Sequence, residues 1–376
     1  MDTAELIDLT RRVLKLAQDK TTDLAPAVVE RSASAYTSSE RLAADRRMFL
    51  DAPHLVGYAS ELAEVGAFVT KTVMDVPVVL TRQPDGSVAA FRNVCAHRQA
   101  RVVDGCGVAK RFACPYHAWT YDTTGRLSFV PGAEGFPDRP EGMTPLPAAD
   151  HAGFLWLGLD PDADLDVPAH LGSLSDELAS WGVEQWSPVG ARVLERRIDW
   201  KLAVDTFSEN YHFATVHRDT FGQLSRNNCA AFDTFGPHSR LIFPLKHITD
   251  LADVPEAEWD PLSAFVVIYH LHPGTVLSIT KVNSEIFRVY PGTAVGTSTT
   301  FHQNATQLDI SDLEMRANVE AVFEYAHGTV RDEDYALAET IQATMSSGAE
   351  PYVRFGRNEP ALQHRHATWD AQTAGI

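Results

Sequence analysis

The sequence predicts an α+β protein: a helical N-terminal arm, a β-rich domain, and a second domain of antiparallel sheet with helices. Three observations predict it. Apolar residues recur at helix period through the first fifty residues. Short β-rich runs broken by turn residues follow from about Leu55. Beyond an acidic connector, alternating strands form an antiparallel meander and then give way to a long helical pattern. The 376 residues suit two domains, and 44% hydrophobic content is enough for a sizeable core. A net charge of −18 with no basic run argues against nucleic acid and anionic membrane surfaces as partners. No apolar run reaches the roughly eighteen residues a membrane span needs. The acidic start, MDTAELIDLT, lacks the order of a signal peptide, so a cytoplasmic location is expected.

In the arm, residues 1–51, Leu6, Leu9, Val13, Leu14 and Ala17 share a helical face, and Ser38-Ser39-Glu40 opens a second helix ending near Phe49. The β-rich domain, residues 52–160, has strands around Phe68, Val76, Val78 and Leu80. Turns fall at Pro84-Asp85-Gly86 and Thr123-Thr124-Gly125, and GFLWLGL (153–159) reads as a buried strand. The connector DPDADLD leads into the last domain, residues 161–376. A helix is expected over 171–181 and strands over 191–198, 240–243, 264–271, 275–279, 284–290 and 297–303. A long helix is expected over 310–342.

Two stretches carry chemistry. Cys95-Ala96-His97 and Cys114-Pro115-Tyr116-His117 each set one thiol beside one imidazole. Two thiolates and two neutral imidazoles suit a tetrahedral zinc or a two-iron, two-sulfide cluster. Zinc sites usually keep like ligands together, whereas here each loop supplies one of each, which favours the cluster. Cys106 and Cys229 match no partner pattern and are expected as small buried thiols. The second stretch is residues 199–217, DWKLAVDTFSENYHFATVH. It has helical rhythm, with Asp205 and Glu209 on one face and Glu209 three residues before His212. His217 lies five beyond, so the helix is expected to loosen there. Two histidines and carboxylates at this spacing can meet one metal ion.

The pattern C-x-H…C-P-Y-H-A-W resembles the Rieske motif, and nearly the whole chain beyond the arm is similar to the α subunit of Rieske non-haem iron ring-hydroxylating oxygenases. The resemblance implies a β-rich Rieske [2Fe–2S] domain, with Cys95, His97, Cys114 and His117 as ligands, and a helix-grip (START-like) catalytic domain with mononuclear Fe(II). His212 and His217 match the family's E/D-x-x-H-x4-H pattern. Asp334, Glu339 and Gln342 fit D-x4-E-x2-Q, which makes Asp334 the third iron ligand and Asp332 the runner-up, otherwise a solvated helix-start charge. Glu209 takes the place of the family's bridging carboxylate, between the iron site and His117 of a neighbouring subunit. Most relatives carry Asp there, and a subgroup that includes quaternary-ammonium oxygenases carries Glu. Asp205 is assigned a supporting role near the iron.

The resemblance further implies a homotrimer, because the two sites of one chain are too far apart for fast electron transfer; a separate β subunit stays open. A separate reductase, with or without a ferredoxin, supplies electrons. With O2, the chain is expected to mono- or dihydroxylate an aromatic or other apolar small molecule. The alternatives are oxidative N- or O-demethylation and, in a different class, a non-catalytic Rieske electron carrier or ligand-binding protein. Phe207, Phe243, Phe265, Val267, Tyr269, Ile279 and Phe287 are expected to line the pocket, with His270 and His272 as candidates to orient a polar group.

Overall fold

A computed structural model describes residue 1 and residues 3–374. The chain forms two compact units: one of Phe49–His170 with Gly182–Trp186, the other of Met1–Met48, Leu171–Trp181 and the chain from Ser187 onward. The connector at 160–166 thus lies within the first unit's range.

The first unit is built from short antiparallel strands. A five-stranded sheet runs in the order Pro145–Leu146, Val88–Arg92, Val76–Arg82, Ala67–Val73, Cys106–Val108. Arg111–Ala113, Thr120–Asp122 and Leu127–Phe129 make a three-stranded sheet, and Ala148–His151, Phe154–Leu157 and His54–Tyr58 another. The turn after Asp122 is pinned by its Oδ1, which accepts from the Thr124 and Arg126 amides at 2.9 and 3.1 Å. Gly125 sits there at φ 78°, with the Phe91 ring where a Cβ would lie, so no other residue fits without displacing that ring. Phe68, Val79, Phe91, Phe112, Trp119 and Tyr121 form one core, and Cys95 and Cys114 are buried within it.

The second unit holds a seven-stranded antiparallel sheet ordered Ser187–Arg196, Ser298–Thr306, Asn283–Pro291, Thr275–Ile279, Phe265–Leu271, His238–Pro244, Ala231–Phe235. The meander follows the sequence expectation, but Ala231–Phe235 was not foreseen. Nor was the pairing of Val29–Ser32 with Tyr352–Phe355, which are far apart in sequence and short enough to leave little periodicity. The arm helix Thr3–Asp19 buries Leu9, Val13, Leu14 and Ala17 as its period predicts. The long C-terminal helix is interrupted: Leu313–Thr329 and Tyr335–Ser346 flank a π-helical turn, Val330–Asp334. Among the described residues, no helix is long and apolar enough to cross a membrane.

A second helical expectation is overturned as well. Residues 199–217 are not a helix throughout: it spans only Trp200–Asp205, capped by the Asp199 carboxylate on the Lys201 amide at 2.9 Å. Thr206 and Ser208 turn their hydroxyls back onto the carbonyls of Ala203 and Val204, the competition by which such residues end helices. Glu209, His212 and His217 therefore lie on irregular backbone, and Asp205 and Glu209 share no helical face. Asn210 holds this segment: its amide donates to the carbonyls of Arg226 and Cys229 and accepts from the Cys229 amide.

Candidate metal centres

The two Cys-His loops are folded alike. In each, the cysteine carbonyl accepts from the amide four residues on, and the cysteine amide donates to the carbonyl five on: Gln99 and Ala100 for Cys95, Ala118 and Trp119 for Cys114. Gln99 and Ala118, at the same relative place, both take the left-handed conformation, φ 60° and 56°. This folding turns His97 and His117 towards each other, with ring centroids 4.7 Å apart, and His97 stacks on buried Trp119 at 4.9 Å. Tyr121 reaches the Cys95 thiol at 3.3 Å and the Ala96 amide at 3.0 Å, placing a donor beside the sulfur. Burial raises the Cys114 thiol, and burial with the charges of His117 and Arg98 lowers His97. Two buried thiols and two converging imidazoles match the donor set of a [2Fe–2S] cluster with mixed ligands.

In the second unit, one ligand atom each from His212, His217 and Asp334 lies within 4.8 Å of the others. Asp334 Oδ1 is 3.1 Å from His217 Nε2 and 3.4 Å from His212 Nε2. His212 Nε2 is buried and has no hydrogen-bond partner among the described residues, as expected of an atom aimed at a metal. The far nitrogens are held by carboxylates: His212 Nδ1 by Glu209 at 2.5 Å, His217 Nδ1 by Glu333 at 2.6 Å. Such contacts fix the tautomer and orient the ring. Burial opposes charge on His212, but Asp334 and Glu209 overcome it and raise the imidazole to about 9. His217 is raised the same way, against burial, by Asp334 and Glu333. Burial would raise Asp334, yet the two imidazoles that face it hold it below the ordinary carboxylate range. Two imidazoles and one carboxylate, converging on one face, form the donor set of a mononuclear iron site.

Asp334 sits at the end of the π turn, where the extra residue in the helix turns its carboxylate towards the histidines while Asp332 remains outside, paired with Arg331. Glu333 was missed by the sequence reading; its only signal was the acidic run around Asp334. Thr220 also donates to it, at 2.7 Å. Gln342 Oε1 accepts from the Asp199 amide at 2.8 Å, and Glu339 from the Arg197 amide at 3.3 Å, so the rest of that motif ties the helix to the start of the histidine segment. Asp205 is buried, but its oxygens take Tyr36 Oη and His366 Nε2, both at 2.9 Å.

A cavity of about 470 Å³ opens from His217 and Asp334, walled by Phe207, Phe213, Phe221, Phe243, Phe287 and Tyr325, with Glu285 also facing it. Phe207, Phe243 and Phe287 were expected there; Phe265, Val267, Tyr269 and Ile279 do not line it. Val266, Ile268 and Ser278 do, because the pleat turns the alternate set inward, and Ile268 pairs with Ser278. His270 and His272 border a separate small crevice. Cys106 is exposed, contrary to expectation, on a strand buried at none of its three positions, whereas Cys229 is buried and its thiol pushed up to about 11.

Comparison with known proteins gives the same division. Residues 183–375 match the family described as "Ring hydroxylating alpha subunit (catalytic domain)" and residues 52–140 the "Rieske [2Fe-2S] domain". The carnitine monooxygenase oxygenase subunit of Acinetobacter baumannii is 33% identical over 189 residues, 48% of this chain; the chain spans about half, 51%, of that relative's length. The Escherichia coli K12 subunit of the same name is 26% identical over 78% of this chain and 77% of that one. The chlorobenzene dioxygenase α subunit of Cupriavidus sp. PS12 is 36% identical over 43% and 38%. Among solved structures, a quaternary ammonium Rieske monooxygenase described for carnitine oxidation and inter-subunit electron transfer shares the fold, with a TM-score of 0.76 over 98% of both chains at 20% identity. With its Rieske [2Fe–2S] domain and an iron-binding catalytic domain, this chain belongs to the ring-hydroxylating oxygenase α subunits.

Proposed function

We propose that this chain is the terminal oxygenase of a multicomponent system and that it oxidises a carbon of a small, N-methylated cation. Cys95, His97, Cys114 and His117 hold the cluster, which accepts electrons from a separate reductase. His212, His217 and Asp334 hold the iron, and the bound iron supplies O2 activation. Glu209 and Glu333 keep the proton of each imidazole on Nδ1, leaving Nε2 free as a ligand. Glu209 carries a second duty, linking His212 to His117 of a neighbouring copy in a closed homotrimer. Asp205 acts as a positioning residue, tying the histidine segment to Tyr36 and His366. The aromatic walls exclude water from the reacting carbon.

The observation that carries the substrate reading is the composition of the pocket. Six aromatic rings and the Glu285 carboxylate line it, with no Lys or Arg among the lining residues, a setting that favours a cation through ring faces and charge. The carnitine and glycine betaine monooxygenase relatives, and Glu in place of Asp at 209, point the same way. A second reading, hydroxylation of an arene, rests on the predominantly apolar lining and the chlorobenzene dioxygenase relative.

The test is turnover with a surrogate reductase on methylated amines and on arenes of similar size, scored by product mass. Formaldehyde release or a gain of one oxygen from the amines, with about three irons per chain, is the expected result. A gain of two oxygens on the arenes alone would establish the second reading. Two irons per chain and no O2 uptake would leave only an electron carrier.

A further inference from the structure

Where Asn283–Pro291 reaches the pocket, its lining residues and the residues paired with them on Ser298–Thr306 are polar in a way that neither packing nor the iron site requires. Glu285 pairs in register with Asn304 and Phe287 with His302, so these four side chains lie on one face of the sheet. Asn283, on the same face of its strand, lines the cavity with Glu285 and Phe287. Asn304 is 1% exposed, yet neither its Oδ1 nor its Nδ2 has a hydrogen-bond partner among the described residues. Asn283 Oδ1 is also buried and unpartnered. His302 is 0% exposed, and its Nδ1 is engaged with His327 Nδ1 at 3.3 Å. Its Nε2 has no such partner and lies 3.8 Å from the Glu285 carboxylate, too far for a hydrogen bond. Native interiors seldom leave several polar atoms unmatched in one place, since each forfeits its bonds to water. The residues that line the cavity offer it acceptors, the Glu285 carboxylate and the unmatched Asn283 Oδ1.

We propose that Asn283 and Glu285, backed across the strand pair by His302 and Asn304, form the recognition end of the substrate pocket, and that the group they take is a protonated amine carrying N–H. A quaternary ammonium would satisfy the charge of Glu285 but has no hydrogen to give the amide oxygen. A secondary or tertiary ammonium brings the same charge and at least one N–H for an acceptor to take. The inference rests on the reading that the substrate is a cation and narrows it: this pocket selects N–H-bearing amines over the permanently charged ones named for its relatives.

The experiment is calorimetric binding to the iron-loaded, cluster-containing enzyme without O2, using three probes of similar body: benzyldimethylammonium, benzyltrimethylammonium and neutral isobutylbenzene. The expected order places benzyldimethylammonium at least about tenfold tighter than either of the others. Glu285→Gln and Asn304→Leu should each remove that preference, and the cluster's visible absorption with the iron content of each variant reports that it is folded and loaded. Equal binding of the two cations, both tighter than isobutylbenzene, would overturn the N–H selection and leave the cation reading standing. Failure of both cations to exceed isobutylbenzene would overturn the cation reading itself. A preference that survives in both variants would place the recognition end elsewhere.

Discussion

The residues proposed for the cluster and those proposed for the iron reach their geometry by different routes. Cys95, His97, Cys114 and His117 come from one short stretch, on two loops that repeat the same backbone pattern, and local hydrogen bonds shape each loop. His217 and Asp334 are separated by 117 positions, and the site forms only where a loosened helix end meets a π turn. Carboxylates then complete it from outside, Glu209 on one imidazole and Glu333 on the other. A site made of local loops is robust to its surroundings and readable as a motif. A site made by tertiary meeting depends on everything that holds the two segments together.

The strongest way to test that contrast is to remove one ligand from each site. Asp334→Ala should abolish turnover and iron binding at the triad while leaving the cluster's visible absorption intact. Cys114→Ser should bleach the cluster and leave the mononuclear iron in place. Metal counting and absorption on both variants check this, and loss of both metals from either variant would mean that the sites are not independently built.

A smaller effect separates the two carboxylate braces. Glu333→Ala should weaken iron retention by about 10–100-fold, the usual scale for losing such a contact. Glu209→Ala should weaken iron comparably and, at saturating iron, still turn over slowly, because the proposed link to the neighbouring cluster is also cut. Dialysis against a chelator measures the first property and single-turnover oxidation of the reduced cluster the second. If Glu209→Ala with its iron restored oxidises the cluster at the native rate, the bridging role is wrong.

What was legible in the sequence follows the same divide. The convergence of the two Cys-His loops and the meander strands could be read because motif spacing and period-2 patterning are local. His212, His217 and Asp334 could be identified through family resemblance, and the structure brings them together. Glu333 could not, since nothing local distinguishes it from Asp332, and only the π turn sends one carboxylate inward and the other to Arg331. The helical rhythm of residues 199–217 misled for a related reason. Leu202, Val204 and Phe207 have the right period, but the hydroxyls of Thr206 and Ser208 and the clamp of Asn210 decide the backbone. Pocket residues were misassigned along two strands because a buried strand, apolar on both faces, does not announce which side is concave.

That clamp gives the next prediction in size. Asn210→Ala removes three hydrogen bonds to Arg226 and Cys229 and leaves buried backbone groups unmatched, at a cost of about 1–3 kcal/mol for such a group. The unit carrying the histidines should lose stability by that order, read from urea unfolding, while the cluster's absorption is unaffected in the folded protein. A parallel loss of the cluster would show that the histidine segment supports more than its own site.

The smallest effect concerns the start of the same segment, where Asp199 caps its helix beside buried Lys201, whose ammonium lies 3.0 Å away. Burial, with the charge of Asp45 adding to it, raises the Asp199 carboxyl from its ordinary 3.8 to about 6, although Lys201 pulls the other way. A carboxyl raised on folding binds its proton more tightly in the native state, so its contribution to stability is full below about 4 and is lost as pH rises through about 6. Asp199→Asn keeps a good capping residue and removes the titration. The native chain should therefore gain stability relative to Asp199→Asn when the pH is lowered from 7.5 to 5, as the difference between their urea midpoints reports. A difference that moves the other way would mean that the ion pair with Lys201 outweighs burial. In that case the iron-bearing segment would be anchored by charge at its first residue, as the two iron histidines are held by Glu209 and Glu333 further along.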